Sequence, residues 1–229
     1  MSRLGVVAAL RREAALLPGR DRPGGVSVAV AGVGPDRAAA AATGLIEGGA
    51  AALLSWGLAG GLQPDLTAGD LLIPAEVIDE AGTVYATDAA WRQRLTARLA
   101  PGLCVAACRR LLTSRSLLAE AGRKRALGAL TGAAAVDMES TAIARVAAAA
   151  GRPFLAVRVV CDAAGTAFPA AAVGAVDGAG RTRPVHVLAV LLRRPHDLGA
   201  VLRLARAERA ARHRLAAVAQ AAGPCLEAP

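Results

Sequence analysis

The chain has 229 residues, enough for one domain with a large buried core, and its formal net charge is +9. Hydrophobic residues make up 55% of the chain but aromatic residues only 2%, so we expect a core of small, closely packed aliphatic side chains. No uninterrupted apolar run approaches the roughly 20 residues that a membrane-spanning helix needs. The first residues lack a signal-peptide pattern, and we expect a cytoplasmic protein.

The basic charge raises the question of a nucleic-acid partner. Arginines concentrate in residues 109–125 and 193–214, with almost no aromatic side chains to stack on bases. We therefore expect no nucleic-acid partner. Two interpretations of the charge stay open, a solvated basic face and a peripheral contact with an anionic membrane surface.

The cysteines and histidines do not form a metal motif. The four cysteines are scattered, and all three histidines lie beyond residue 185, so no zinc-binding spacing occurs. We expect no metal site and interpret the thiols as buried or incidental.

The elements predicted along the chain alternate between strands and helices. Short apolar runs bounded by Gly, Pro or Asp predict strands, and longer periodic runs predict helices. Strands are predicted at residues 4–10, 26–31, 51–56, 71–78, 105–112 and 154–161, and helices at 11–17, 35–46, 89–99, 116–130, 141–150, 185–192 and 198–221. Residues 163–184 are predicted to form a loop.

This alternation predicts an α/β fold. Buried strands joined by helices favour a mixed, mainly parallel central sheet flanked by helices in three layers. Neither an internal repeat nor a linker is evident, so we expect a single domain over residues 1–229.

Acidic residues follow several predicted strands. Glu13 comes just after the first strand, and Asp162 ends the strand at 154–161. Between them, Asp137 and Glu139 bracket Met138 where a Gly/Ala segment gives way to a helix. Because ligands bind at the carboxyl ends of strands in α/β sheets, these positions predict a ligand site.

Two glycine motifs also follow predicted strands. Gly32 and Gly34 precede a helix that begins at Pro35, an arrangement that suits a phosphate or another anion. The alternative is a turn that needs glycine's conformational freedom. The motif lacks the third glycine of the dinucleotide fingerprint, and no phosphate-loop motif occurs. The second motif, residues 57–61, again follows a strand, and its small residues would let a ligand approach the backbone closely. The alternative is a tight strand-exit turn.

Together these features resemble the purine nucleoside phosphorylase and nucleosidase superfamily over nearly the whole chain. The resemblance depends on GVVAALRREAALL, AGVGPDRAAAA, GLAGGL with PDLTAGDLLIP, VDMESTAIARV and VRVVCD. It is closest to the methylthioadenosine/S-adenosylhomocysteine nucleosidases and the hopanoid-associated phosphorylases. The GLAGG form and the stretch RRPHDLGAVLRLARAERAARHRL most resemble the hopanoid-associated branch, which is thought to release adenine from adenosylhopane, a lipid precursor.

The resemblance implies roles for individual residues. Asp162 would be the catalytic group that protonates the purine N7, and Glu13 would orient the attacking water. Glu139 would accept hydrogen bonds from the ribose hydroxyls, with Met138 packed against the sugar. A carboxyl group that protonates the base must hold a proton near neutral pH, which burial at a strand end can arrange.

The glycine motifs would complete the site. Leu58, Ala59 and Gly60 would line the nucleoside pocket, and the turn of Gly32 and Gly34 would receive phosphate. Hydrolysis and phosphorolysis stay open, because Glu13 favours water while the glycine turn favours phosphate.

The sequence departs from the family pattern at three places. Leu58 stands where the nucleosidases usually carry Ser, and no aromatic residue for stacking on adenine occurs within 113–118. Asp137 replaces a more usual Glu and is assigned no role. Arg37 and Arg115 are the candidate phosphate-binding arginines.

The resemblance also implies a reaction and a substrate class. The chain should release adenine from a 5′-modified adenosine, with adenosylhopane as the leading substrate and methylthioadenosine or S-adenosylhomocysteine as the alternative. We expect no cofactor, phosphate being at most a co-substrate, and a homodimer or larger assembly. A non-catalytic nucleotide- or nucleic-acid-binding module is the alternative from another functional class.

Overall fold

The structure is a computed structural model that describes residues 3–18, 26–99, 103–169 and 183–226. Its strands are β1 (Arg3–Ala8), β2 (Ser27–Val30), β3 (Ala50–Gly61), β4 (Leu71–Leu72), β5 (Glu76–Asp79), β6 (Val84–Ala86), β7 (Val105–Ala106), β8 (Arg110–Thr113), β9 (Ala135–Asp137) and β10 (Phe154–Asp162). Its helices are α1 (Arg11–Ala14), α2 (Pro35–Glu47), α3 (Ala89–Leu99), α4 (Ala121–Thr131), α5 (Ser140–Ala149), α6 (Pro184–Arg193) and α7 (Leu198–Ala222), with 3₁₀ turns at Pro195–Asp197 and Gly223–Leu226.

Strand β3 joins the two halves of one mixed sheet. It pairs in parallel with β1 through its first half and with β10 through most of its length. At its end, Gly60 and Gly61 pair antiparallel with β9. The strand order is β6-β5-β8-β9-β3-β10-β4-β7, with β1 on β3 and β2 on β1. Most strand pairs are parallel, which confirms the predicted sheet type.

Helices cover both faces of the sheet, as the sequence predicted. Successive residues of β10 alternate between two cores. Leu155 and Val157 belong to a core with α1, α3 and α7, whereas Phe154 and Ala156 belong to a core with α2 and α5. This alternation is the two-residue period of a strand buried on both sides. No helix in the described ranges is long and apolar enough to cross a membrane.

Helix α5 and strand β10 match their predicted positions and place the acidic residues. Gly151 follows the helix with φ +61°, the left-handed conformation that commonly ends helices. Pro153 then leads directly into β10. The prediction of a helix followed by a buried strand ending at Asp162 is confirmed.

Other predicted elements need correction. Residues 57–61 form no turn, because they continue β3 and pair with β10 and β9. The strand predicted at 71–78 is interrupted at Pro74, which cannot donate to a sheet ladder. The strand predicted at 105–112 is also two strands, β7 and β8, which pair in parallel with β4 and β5 respectively. The short strands β6 and β9 were not predicted at all.

The helix predicted at 116–130 begins only at Ala121. The segment before it forms local hydrogen bonds that compete with a helix: Ser114 Oγ donates to the carbonyl oxygen of Ser116 at 2.9 Å. Most of the loop predicted at 163–184 lies outside the described residues.

A buried ion pair ties the centre of the sheet together. Arg158 lies in β10 with only 2% of its surface exposed, and its Nε and Nη2 donate to Asp137 Oδ2 at 3.0 and 2.7 Å. The Thr113 hydroxyl donates to Asp137 Oδ1 at 2.8 Å, and the Ser140 hydroxyl donates to Oδ2. Arg158 also donates to Ser55 Oγ. One acidic residue that the sequence left without a role therefore joins β3, β8, β9, β10 and α5.

The substitution Arg158→Met should destabilise the fold by about 3 kcal/mol or more, because it leaves the Asp137 carboxylate buried without its partner. Urea denaturation measures the effect. Arg145→Met is the matched control: Arg145 is exposed on α5, and its loss should cost no more than about 0.5 kcal/mol. Equal stability of the two variants would contradict a structural role for the pair.

Candidate active site

A cavity of about 510 Å³ lies at the carboxyl ends of the central strands. Its volume falls within the roughly 300–1,000 Å³ typical of small-molecule sites. Segments after β1, within β3, after β9 and at the end of β10 all contribute to its lining. The predicted site residues that meet there are Glu13, Leu58, Ala59, Gly60, Met138, Glu139 and Asp162.

Glu13 is held rigidly at the entrance of α1. Its Oε2 accepts a hydrogen bond from the Leu10 amide at 3.0 Å, and its Oε1 accepts one from the Leu58 amide at 3.2 Å. A Cβ at Gly57 would lie 3.0 Å from Oε1, so glycine there leaves room for the carboxyl group. Burial raises the pKa of Glu13, which the two amides and the charge of Arg158 oppose. The carboxyl group is therefore fixed in position by the backbone.

Glu139 occupies the N-cap position of α5. Its Oε1 accepts a hydrogen bond from the Gly34 amide at 2.9 Å. Burial, and then the nearby Asp137 carboxylate, raises the pKa of Glu139 to about 7. Glu139 thus changes its charge near neutral pH, and its position depends on the first glycine turn.

The amides of that turn donate to protein groups. The Gly34 amide is taken by Glu139, and the Gly32 amide donates to the carbonyl oxygen of Ala9 at 3.1 Å. Among the described residues that line the cavity, Val33 is present but neither glycine is. Both amides thus have protein acceptors, and the phosphate role of the turn stays a prediction. The turn positions the Glu139 carboxyl group, and the φ of +108° at Gly34 explains why glycine stands there.

Asp162 is paired with a cation that the sequence reasoning did not find. The ammonium group of Lys124, 1% exposed, donates to Asp162 Oδ2 and also to the carbonyl oxygens of Ala163 and Thr166 at 3.3 and 3.1 Å. The Cys161 thiol donates to Asp162 Oδ1 at 3.0 Å, and burial raises the pKa of this thiol well above its usual value. The sequence argument considered burial alone, whereas the structure shows a carboxyl group sharing its site with a proton-bearing ammonium.

A compositional signal for Lys124 was available. The chain has 27 basic residues, and Lys124 is the single lysine among them. A buried lysine in a chain that otherwise uses arginine indicates that this position needs a compact ammonium, which releases a proton far more readily than a guanidinium does.

Phe168 is an aromatic residue that the sequence analysis did not consider for the site. It lines the cavity, and its ring centroid lies 5.3 Å from the Lys124 Nζ. It lies in the stretch predicted as a loop, outside the segment 113–118 where the family pattern implies an aromatic residue. This places an aromatic ring beside the Asp162–Lys124 pair.

The remaining predicted residues lie around these groups. Met138, Leu58 and Ala59 line the cavity. A Cβ at Gly60 would lie 3.4 Å from both carboxylate oxygens of Asp162, so this glycine keeps the approach to Asp162 open.

One wall of the cavity comes from the C-terminal helices and was not predicted. Val187 of α6 and Val201, Leu204 and Ala205 of α7 line it, together with residues such as Leu117. The two helices thus give the cavity an apolar part in addition to its carboxyl groups, and α7 also contributes Glu208 to the lining.

The pKa of Glu139 predicts how stability varies with pH. Between its ordinary value of 4.5 and about 7, the folded protein holds a proton that the unfolded chain has released. This contribution to stability is fully present below pH 4.5 and is lost as pH rises through about 7. The free energy of unfolding should therefore fall by up to about 3 kcal/mol over that interval through this group.

Glu139→Gln, which stays neutral, should remove that part of the fall. Urea denaturation at about pH 5 and about pH 8 compares the two proteins, with Glu47→Gln, at an exposed position of α2, as the matched control. Parallel pH profiles for the parent and Glu139→Gln would show that Glu139 does not titrate in this way.

Several solved structures of other proteins have folds similar to this chain. A futalosine hydrolase mutant of Helicobacter pylori is 19% identical, with a TM-score of 0.65 over 72% of this chain and 87% of that chain. A 5′-methylthioadenosine/S-adenosylhomocysteine nucleosidase of H. pylori is 19% identical, with a TM-score of 0.64 over 72% and 86%. An S-adenosylhomocysteine nucleosidase from Streptococcus pyogenes is 20% identical, with a TM-score of 0.64 over 71% and 84%. These likenesses establish a shared fold.

A search of curated proteins finds no match to the chain. The family model described as the phosphorylase superfamily matches residues 19–193, most of the chain. Together with the nucleosidase-like fold, this match supports an enzyme that cleaves the N-glycosidic bond of nucleosides. The sequence resemblance is confirmed at this level, and the chain belongs to the phosphorylase superfamily.

Proposed function

We propose that the protein hydrolyses the N-glycosidic bond of an adenosine with a large apolar 5′ substituent, releasing adenine, and that adenosylhopane is its substrate. The observation that carries this proposal is one cavity that combines Glu13, Glu139 and Asp162 with an apolar wall from α6 and α7. The carboxyl groups suit cleavage of the glycosidic bond, and the apolar wall suits the substituent.

The ribose lies against Glu139 and Glu13. Cleavage of the bond between C1′ and N9 leaves positive charge on the ribose, which nearby carboxylates stabilise. Glu139 accepts hydrogen bonds from the ribose hydroxyls, with Met138 packed on the sugar. Glu13, fixed by the Leu10 and Leu58 amides, orients a water molecule whose oxygen forms the new bond to C1′ while its proton passes to the Glu13 carboxylate.

The purine lies against Asp162 and Lys124. The electron pair of the broken bond moves onto the base. A proton passes to N7 through Asp162, and the Lys124 ammonium that pairs with Asp162 supplies this proton and becomes a neutral amine. Phe168 provides a ring for contact with the base.

The ion pairs of the cavity favour water over phosphate as the nucleophile. Among the described residues that line it, the cationic ones are Arg12 and Lys124. Arg12 pairs with Glu208 at 3.1 Å, and Lys124 pairs with Asp162. A phosphate dianion would compete with carboxylates for both cations, and neither Arg37 nor Arg115 lines the cavity.

The experiment that tests the proposal measures adenine release by liquid chromatography from adenosylhopane, methylthioadenosine and S-adenosylhomocysteine, each with and without phosphate. We expect release from adenosylhopane at a rate independent of phosphate. Turnover of the two small thioethers alone would make the protein a salvage nucleosidase, and strict phosphate dependence would replace water by phosphate. If folded protein releases no adenine from any of the three substrates, the result would instead favour a non-catalytic binding module.

Asp162→Asn should lower kcat by about 10²- to 10⁴-fold on whichever substrate is turned over, because an amide cannot transfer a proton to N7. The matched control is Asp65→Asn at an exposed position, which should leave kcat unchanged. Single-turnover measurements separate this loss from slow product release.

Lys124→Arg extends this test to the ion pair. It keeps the positive charge beside Asp162 but replaces a group that can release its proton by one that cannot. Normal kcat in a folded Asp162→Asn variant would exclude Asp162 as the acid. Normal kcat in Lys124→Arg would limit Lys124 to charge stabilisation.

A further inference from the structure

Helix α6 carries an apolar stripe on its exposed side. Val185, Leu188 and Leu192 are 78%, 59% and 77% exposed, and their spacing of three and four residues places them on one face. Leu198 and Leu202, at the start of α7, continue the exposed apolar surface. We call these five residues the α6–α7 apolar surface.

Arginines flank this surface. Arg183 precedes α6, Arg193 and Arg194 follow the stripe, and Arg203 adjoins Leu202; all four are exposed. Of the two acidic residues in the same stretch, Glu208 pairs with Arg12, and Asp197, with a side chain only 17% exposed, lies 3.7 Å from His196. The surface therefore combines exposed leucines with a net positive charge.

We propose that the α6–α7 apolar surface binds the face of an anionic lipid membrane. Helices that lie in a membrane interface have this combination, with apolar side chains entering the acyl region and arginines meeting anionic headgroups. At ten residues α6 is about 15 Å long, too short to span a bilayer but sufficient to lie in its interface.

Charge complementarity favours lipid over a second copy of the chain. A two-fold dimer through this surface would place the same patch on both sides of the interface. The flanking arginines of one copy would then face those of the other, with no exposed acidic residue of this stretch to neutralise them. An anionic membrane can bury the leucines in its acyl region and pair the arginines with its headgroups.

The surface also adjoins the cavity. Val187 lies on α6 between the stripe residues and lines the cavity, as do Val201 and Leu204 of α7. The same two helices thus present one side to the cavity and another to the membrane. An apolar substituent held in lipid reaches the carboxyl groups along these helices, a consequence that rests on the proposed function, whereas membrane binding itself does not.

Vesicle sedimentation without substrate tests the proposal. The whole protein should sediment with vesicles of phosphatidylcholine mixed with phosphatidylglycerol at low salt, and much less with phosphatidylcholine alone or at high salt. The double variant Leu188→Ser/Leu192→Ser should lower the partition coefficient by about tenfold or more. Its matched control is Leu130→Ser on α4, where Leu130 is 82% exposed.

The charge is tested in the same assay. Arg193→Gln/Arg194→Gln should weaken binding by about tenfold or more, whereas Arg123→Gln/Arg125→Gln, at exposed positions of α4, should leave most of it. Absence of vesicle binding, or equal losses in the surface and control variants, would overturn the proposal.

Light scattering coupled to size-exclusion chromatography tests whether a second copy of the chain occupies the surface instead of lipid. If Leu188→Ser/Leu192→Ser converts a dimer to a monomer and leaves vesicle binding intact, the surface is an interface between copies and the proposal is wrong. Activity on a soluble nucleoside is measured in parallel. Failure of membrane binding with intact turnover is thereby distinguished from failure of the proposed function.

Discussion

The ion pair between Asp137 and Arg158 is the interaction on which the rest of the site depends. Each charge is buried, and each is tolerable only because the other and a set of hydroxyl groups surround it. The pair fixes the end of β9 against β10 and thereby places Glu139 at the start of α5. Asp137 also raises the pKa of Glu139, whereas Arg158 opposes this effect, so the same pair influences the position and the proton affinity of the Glu139 carboxyl group.

The cavity is divided electrostatically along the scissile bond of the proposed substrate. On one side, the Glu13 and Glu139 carboxyl groups accept hydrogen bonds from backbone amides, while Asp162 on the other side has the Lys124 ammonium as its partner. A reaction that leaves positive charge on a sugar and negative charge on a base matches this polarity. Because these groups are buried and held by backbone amides, they need little reorganisation as the charges develop.

The sequence predicted what depends on local pattern. Strand β10 and helix α5 have clear periodicity and stop signals, so Asp162 and Glu139 could be placed at strand and helix ends. The extension of β3 through residues 57–61 could not be predicted, because glycines usually mark turns and its pairing with β9 joins residues far apart in the chain. The pairing of Lys124 with Asp162 and of Arg158 with Asp137 could not be predicted for the same reason, because each pair joins residues far apart in the chain. The sequence did show two signals, since Arg158 is a charged residue inside an apolar strand and Lys124 is the single lysine.

The long strand β3 has a consequence for how the protein is made. Its main partner, β10, lies about a hundred residues later in the chain, and Gly60 pairs with Asp162 itself. Contacts of such high sequence separation form late and slow folding, because long loops must close before the contacts form. A nascent chain that has already emerged through β9 therefore still lacks the strand that carries Asp162, and its β3 presents an unpaired edge. The strand that completes the pairing of β3 and the strand that brings Asp162 to the cavity are thus the same.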